Sequence, residues 1–366
     1  MHKILNMALV IFISLLNSVN SNCVADEINS SITPIYQWGR GINIPSANLN
    51  IGGYFNMTFE HFESEQDIAA LDELSLFISW SPLSQLHFFA EFEMESSIST
   101  HGIADFSESF SIERLYVDFL ATDSLSFRFG QFLTPVGTWN SIHAAPLVWT
   151  TSRPIVTESQ FFPSRSNGLM ISKQFMINNH DLDFSLYFDD SADLDPRSID
   201  SKDNSGHLED EVAFEYAIGT HIIYEPINFL QTGVSYLTFK KDAKKQLSTN
   251  HLFGLDLFWQ NSGYEMQMEF AYRTASDEQG SETSTYLQGI VPIGYNVFAV
   301  SRYEFINGTH QLNSDLETFD GTSHIFIPAL AWRPYVPLVV KAEYRLGSNN
   351  KDIAPSGFFA SVSMFF

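Results

Sequence analysis

Along Leu86–Glu95 the side chains alternate without a break: Leu86, Phe88, Ala90, Phe92 and Met94 fall on one face of an extended chain, and His87, Phe89, Glu91, Glu93 and Glu95 on the other. A period of two places successive side chains on opposite faces of a strand. Five apolar residues opposing three carboxylates across one pleat describe a strand with a greasy side and a wet side. The pattern recurs. Leu49, Ile51, Gly53, Phe55, Met57 and Phe59 oppose Asn50, Gly52, Tyr54, Asn56, Thr58 and Glu60, and Leu74, Leu76, Ile78 and Trp80 share one face of Leu71–Trp80. The final stretch, Gly357–Phe366, places Phe358, Ala360, Val362, Met364 and Phe366 opposite Phe359, Ser361, Ser363 and Phe365. An aromatic edge of this kind invites aggregation in a soluble sheet. It is tolerated where a sheet closes on itself in lipid.

Thirteen further segments read as strands: 109–120, 125–132, 168–175, 181–188, 212–224, 229–239, 251–260, 264–274, 285–291, 295–306, 324–332, 336–347 and the terminal stretch itself. With the first three the count is sixteen. After the first link, every second connection is short and turn-like: Ser81–Ser84, Ala121–Ser124, Met176–His180, Glu225–Asn228, Asn261–Gly263, Pro292–Gly294 and Arg333–Tyr335. The links between them, 61–70, 96–108, 133–167, 189–211, 240–250, 275–284, 307–323 and 348–356, are longer and polar. Short turns at one rim and long loops at the other are expected of an all-β transmembrane antiparallel barrel with both chain ends on the periplasmic side. Hydrophobic residues make up 44% of the chain, with 33 Phe and 14 Tyr, yet no stretch after residue 25 approaches the twenty or so apolar residues of a membrane helix.

Residues 1–25 read as a signal peptide: His2 and Lys3, an apolar Ile4–Leu16, and Cys23-Val24-Ala25 before the cleavage point. Asn20-Ser21-Asn22 makes a poor lipobox. Cleavage after Ala25 removes the single Cys, so no disulfide is expected. It also leaves 18 basic residues against 43 acidic ones, which argues against nucleic acid as a partner. Residues 26–47, with Pro34 and Pro45, read as an irregular periplasmic or lumenal leader, and 48–366 as the barrel.

The longest link follows Gly130–Asn140, GQFLTPVGTWN, and continues through Ala144-Ala145-Pro146-Leu147-Val148-Trp149 to Arg153-Pro154. This segment resembles a strand end of the phosphate-selective porin O/P group. The whole pattern is similar to the sixteen-stranded bacterial outer-membrane porin superfamily. The resemblance implies a third loop, 133–167, folded into the lumen as a constriction, an outer-membrane location in a Gram-negative bacterium, and a homotrimer. It also implies that the final Phe366 serves as an assembly signal. A flap packed over the barrel mouth is the alternative for the loop, whose Trp139, Trp149, Phe161 and Phe162 are costly to leave in water.

Against the charge of the chain, this loop carries Arg153 and Arg165 with Glu158 as its one acid. Arg114, Arg128, Glu91, Glu93 and Asp118 lie on the lumen-facing parity of nearby strands, as do Arg273, Arg302, Lys341, Arg345, Glu265, Glu269, Glu304 and Glu343 elsewhere. Opposed rows of cations and carboxylates set ion preference in a pore; equally, such groups pair off and neutralise one another. A cationic ladder for phosphate does not follow from 18 dispersed bases. The acids from Asp189 to Glu211 match no calcium loop and read as hydrated. Lys240, Lys241, Lys244 and Lys245 offer contacts to lipopolysaccharide phosphates. No metal site, cofactor or nucleophile elbow is legible. The expected activity is a passive diffusion channel for small hydrophilic solutes. A sugar or anion channel using Trp139 and Trp149 or Arg153 and Arg165, a plugged adhesin or anchor, and a barrel enzyme are the alternatives. Phe59, Trp80, Trp259, Tyr264, Tyr272, Tyr344 and Phe366 are the girdle candidates.

Overall fold

The computed structural model describes residues 34–366 apart from 63–66, 101, 104–109, 159–163, 191–213, 242–248, 276–279, 312–317 and 349–354. The expected signal peptide, the loop aromatics Phe161 and Phe162, most of the acidic fourth loop and the lysines 244 and 245 lie outside the described residues.

Sixteen strands form the wall: β1 (Leu49–Phe62), β2 (Ile68–Leu83), β3 (Leu86–Ser99), β4 (Phe110–Thr122), β5 (Leu125–Leu133), β6 (Arg165–Ile177), β7 (His180–Asp189) and β8 (Phe214–Ile227), then β9 (Leu230–Lys241), β10 (Thr249–Asn261), β11 (Tyr264–Ala275), β12 (Ser281–Gly294), β13 (Val297–Gln311), β14 (Thr318–Tyr335), β15 (Leu338–Ser348) and β16 (Gly357–Phe365). Each pairs antiparallel with its neighbours in sequence, and β16 closes the sheet on β1 from Gly357↔Phe62 to Phe365↔Tyr54. Every expected strand overlaps an observed one, in the expected order.

The turns are tighter than expected. Seven two-residue turns join the strands at one rim, at 84–85, 123–124, 178–179, 228–229, 262–263, 295–296 and 336–337. Three of them carry positive φ at both central residues, Asn178-Asn179, Ser262-Gly263 and Tyr295-Asn296. This is the geometry that matches the twist of a hairpin. Pro226, Pro292 and Pro334 suggested wider turns, but they sit inside strands beside register shifts in the ladder. A proline can be accommodated there because the irregular ladder does not need its missing N–H. The eight long links all fall at the opposite rim.

The leader is not irregular in its described part. Ile35–Gln37 and Gly41–Ile44 form a short hairpin, and Gly41–Ile44 pairs with Leu49–Ile51 of β1. That is the stretch of β1 below the end of β16, so the hairpin covers an edge that would otherwise stay open. Trp38 packs on Tyr335 at 5.2 Å. Phe366 is held by paired backbone hydrogen bonds with Gly53, 2.9 and 3.2 Å, where a Cβ on Gly53 would meet the Ser75 carbonyl and the Phe366 ring.

Parity divides the wall as the alternation requires. Met57, Leu76, Trp80, Val234, Leu255, Leu287 and Leu330 are exposed on the outside, while Asn56, Ser75, Glu91, Ser235, Gln288 and Arg302 are buried within. Of the girdle candidates, Phe59, Trp80, Tyr264, Tyr272 and Tyr344 are exposed, and Trp259 and Phe366 are partly so. A charge placed among the outward apolar residues would have to enter hydrocarbon. Leu255→Arg, at mid-strand on β10, is therefore expected to destabilise the barrel by about 2–4 kcal/mol, measured by reversible urea unfolding in lipid vesicles against Ser235→Thr on the inner face, which should change little.

Candidate functional site

The chain between β5 and β6 spans residues 134–164, shorter than the 133–167 expected, because β6 begins at Arg165 and pairs it with Leu133. Its motif TPVGTWN is a docking element. Asn140 ties the two ends of the loop together by donating to the carbonyls of Thr134 and Ser164, both at 2.9 Å. Two single-turn helices follow, α1 (Trp139–Ile142) and α2 (Ile155–Glu158). At α1 the backbone N–H groups of Thr138 and Trp139 donate to Glu269, at 3.1 and 2.6 Å, and Tyr286 donates to the same carboxylate. Gly137, with φ of 68°, lies against that carboxylate where a Cβ would overlap it. The Thr138 hydroxyl reaches Asp256, which also holds His221 at 3.0 Å.

From there the loop runs along the inner wall towards the rim of short turns. The Trp149 indole donates to Glu265 near the start of β11 and packs on Phe298 near the start of β13. Arg333, near the end of β14, lies over Trp149 and donates to the carbonyls of Pro146 and Leu147. The chain then climbs back. Lys341 donates to the carbonyls of Ala145 and Thr150, both 3.0 Å; Glu343 accepts from the N–H groups of Thr151 and Ser152 at 2.7 and 2.9 Å; Arg302 donates to Thr150, Ser152 and the Arg153 carbonyl. Glu304 accepts from Ile155 N–H at 2.8 Å. A loop lying inside a barrel has backbone groups that water no longer fully serves, and each unmet one costs about 1–3 kcal/mol. Charged wall side chains supply those partners, carboxylates to N–H and cations to C=O. Between the polar contacts Trp139, Val148 and Val156 pack on Ala271 and Tyr286, and Ile155 on Ile306, Ile325 and Ile327.

The inward charges thus divide into two sets. Glu265, Glu269, Arg302, Glu304, Lys341 and Glu343 hold the loop. On the other side, strands β1–β5 carry pairs: Arg114 with Glu91, Arg128 bidentate with Asp118 at 2.7 and 2.9 Å, Arg165 with Glu113 at 2.9 Å, and Arg153 with Glu73 at 3.2 Å. Glu93 accepts from the Tyr54 hydroxyl at 3.0 Å. Mutual neutralisation describes Arg114, Arg128 and Arg165. Arg165 sits on β6 behind the loop with its side chain 9% exposed, whereas the Arg153 side chain is 44% exposed. Arg153 projects over the Trp139 ring at 5.9 Å into a cavity of about 280 Å³, whose lining includes Asn56, Glu60, Asp72, Glu73 and Arg345. Trp139 is buried in the loop core and Trp149 is wedged between Phe298 and Arg333. Both are anchors in this geometry. The Glu158 side chain lies outside the described residues.

Strict alternation misses Asp72 and Glu113. On β2 the ladder slips between Asn56↔Glu73 and Met57↔Leu71, and on β4 between Glu91↔Arg114 and Phe92↔Ile112. Each bulge has one extra residue, so Asp72 with Glu73, and Glu113 with Arg114, are adjacent residues that meet the interior together. Two neighbouring charges in an otherwise alternating strand are the signal. His143, in the loop, lies 3.5 Å from Glu113. Burial holds its imidazole below the usual histidine pKa, with Glu113 pulling the other way. At the start of the fourth loop Asp189 accepts from Asn167 N–H at 2.6 Å. Among the described residues no cluster of His, Cys, Asp or Glu suits a metal ion.

No family model matches the chain. An uncharacterized protein of Aquifex aeolicus is 27% identical over 271 residues, 69% of this chain; the match spans only 57% of that protein's length. Among solved structures, the anion-selective porin of Comamonas acidovorans superposes with a TM-score of 0.61 at 12% identity, over 87% of this chain and all of that one. OmpF of Salmonella typhi, in complex with daunomycin, gives 0.60 at 11% identity over 91% and 99%. The trimer form of OmpT, an outer membrane protein of Vibrio cholerae, gives 0.59 at 10% identity over 87% and 99%.

Removing the anchor at α1 tests the docking. Glu269→Ala is expected to leave the barrel folded while raising amide hydrogen exchange across 138–156 by at least about tenfold, because two backbone N–H groups lose their shared acceptor. Exchange mass spectrometry of the folded protein in micelles reads it. By its fold the chain is a closed antiparallel barrel of sixteen strands with a long loop docked against its inner wall, the fold of the solved outer-membrane porins on which it superposes.

Proposed function

We propose that this protein is a passive channel of the outer membrane of a Gram-negative bacterium, carrying small hydrophilic solutes through a lumen narrowed by loop 134–164. The observation that carries this reading is the loop itself, held along one half of the inner wall and leaving a charged cavity along β1 and β2. The mechanism is restricted diffusion. The loop takes up part of the cross-section, and a solute then passes alongside the Arg153–Glu73 ion pair, with Asp72 beside it in the cavity lining. The resulting field lies across the path, so charge on the solute sets how readily it passes.

Residues 1–25 are proposed as the cleaved export signal and Phe366 as part of the assembly signal. The partners proposed are membrane lipids, lipopolysaccharide at the long-loop rim, and two further copies in a homotrimer. The trimer form among the similar structures supports the last. No enzymatic step, cofactor or nucleic acid has a part in this mechanism.

Planar-bilayer recording of the purified full-length protein tests the reading. Discrete conductance steps are expected; a membrane that stays silent at every voltage would remove the channel. In a potassium chloride gradient Arg153→Ala should move the reversal potential towards potassium, and Glu73→Gln towards chloride. One unit charge at about 8 Å in water is worth about 0.5 kcal/mol, so a change of about twofold in permeability ratio is expected from each. Arg165→Ala should shift it less, since that guanidinium lies behind the loop.

A further inference from the structure

The edge of β1 is taken up by two segments placed end to end. β16 and Phe366 pair with it from Phe62 down to Gly53, and Gly41–Ile44 pairs with it from Ile51 to Leu49. The register of the second segment is Ile42↔Ile51, Asn43↔Asn50 and Ile44↔Leu49. Directly opposed residues of an antiparallel pair share a face. Ile51 and Leu49 belong to the lipid-facing row of β1, so Ile42 and Ile44 extend that row, while Asn43 joins Asn50 on the lumen side. These residues are part of the wall. Ile35, Tyr36 and Trp38 are about half exposed at the same rim, where the membrane boundary favours Tyr and Trp.

The hairpin also reaches past β16. Gly39, at φ 77°, lies so close to Pro337 in the β14–β15 turn that a Cβ would overlap it, and Trp38 packs on Tyr335. The Pro337 carbonyl in turn accepts the Phe365 N–H at 2.9 Å. Gly41, also at φ 77°, has no room for a Cβ against the Ile51 carbonyl and Gly52, and Asn50 donates to the Arg40 carbonyl at 3.1 Å. Each glycine lets one stretch of chain lie directly on another. The hairpin is thus tied to β1 by covalent continuity through Pro45–Ala47 and to the β14–β15 turn by packing, with the end of β16 between them.

That position is where a closed sheet is weakest. Every other neighbouring pair of the wall is also joined by a turn or a loop, whereas β1 and β16 stand at opposite ends of the barrel sequence and are joined across the sheet. A bare ladder edge at Leu49–Ile51 would begin at that junction. The contacts of Gly39 and Trp38 join residues at opposite ends of the chain, so they form only when β14 to β16 are in place.

We propose that the leader hairpin is a strap across the β1–β16 seam. It docks after the barrel has closed, and it slows reopening without speeding closure. The proposal requires neither conduction nor a solute.

Kinetics on the full-length protein test it. Gly41→Val spoils the fit of the strap and leaves β1 and β16 unaltered. Folding from urea into lipid vesicles should proceed at the wild-type rate, because contacts made after the transition state act on unfolding. Unfolding in urea, followed by tryptophan fluorescence, should be about tenfold faster, as the loss of ladder hydrogen bonds implies. In the wild type, amides of residues 42–44 should exchange at least about tenfold faster than those of 359–364, since a strap fitted to a finished barrel can also lift from it. An unchanged unfolding rate would overturn the proposal. Slower folding would do so too, because the hairpin would then take part in closure, and so would equal exchange of the two segments. Should the valine variant fail to fold, deletion of residues 35–44 decides: a deletion variant that folds and reopens faster keeps the strap, and one that cannot fold removes it.

Discussion

Hydrocarbon offers no hydrogen-bond partner, and an unpaired backbone amide within it costs several kcal/mol. That single constraint accounts for most of this molecule. It forces the sheet to close, and β16 meets β1 over nine register pairs to do so. Below the end of β16 the strand Gly41–Ile44 continues the pairing along Leu49–Ile51. The same demand explains why each strand of the wall is bonded on both edges. It also explains why Pro226, Pro292 and Pro334 enter the wall where the ladder is already irregular.

The interior repeats the demand at lower dielectric stakes. A loop of thirty-one residues brought inside must find partners for its amides and carbonyls. The wall answers with ionised side chains, which make shorter and stronger hydrogen bonds than neutral ones. Glu269, Glu343 and Glu304 take N–H groups; Arg302, Arg333 and Lys341 give to carbonyls. The inward charges of β11–β15 named here are therefore structural, and those of β1–β5 are paired with one another or with Arg153 and Arg165. A large net negative charge on the chain says little about the lumen, because so many of its interior groups are already matched.

Much of this was legible from residue order. Alternation at Leu86–Met94 and Leu49–Phe59 assigned each side chain to lipid or lumen, and Met57, Leu76 and Trp80 do face outward. A period of two survives every local detail except an inserted residue. That is why Asp72 and Glu113, the extra residues at the two bulges, escaped it. The docking of the loop was legible only as an excess of Trp and Pro in a long link. Its bonding partners lie on other strands, and nothing in TPVGTWN names Glu269. Trp139 and Trp149 likewise pack on Tyr286 and Phe298 of distant strands, partners that the loop's own residue order does not name.

The loop's anchors have an order in time as well as a place. Trp149 reaches Glu265, Ser152 reaches Glu343 and Thr151 reaches Ser361, contacts between residues 116, 191 and 210 positions apart. None of those acceptors exists as part of a wall until strands β11 to β16 have been laid down. Contacts so distant along the chain close late and slowly. The barrel must consequently carry its third loop uncommitted through most of its assembly, and filling the interior and sealing the final seam become one event.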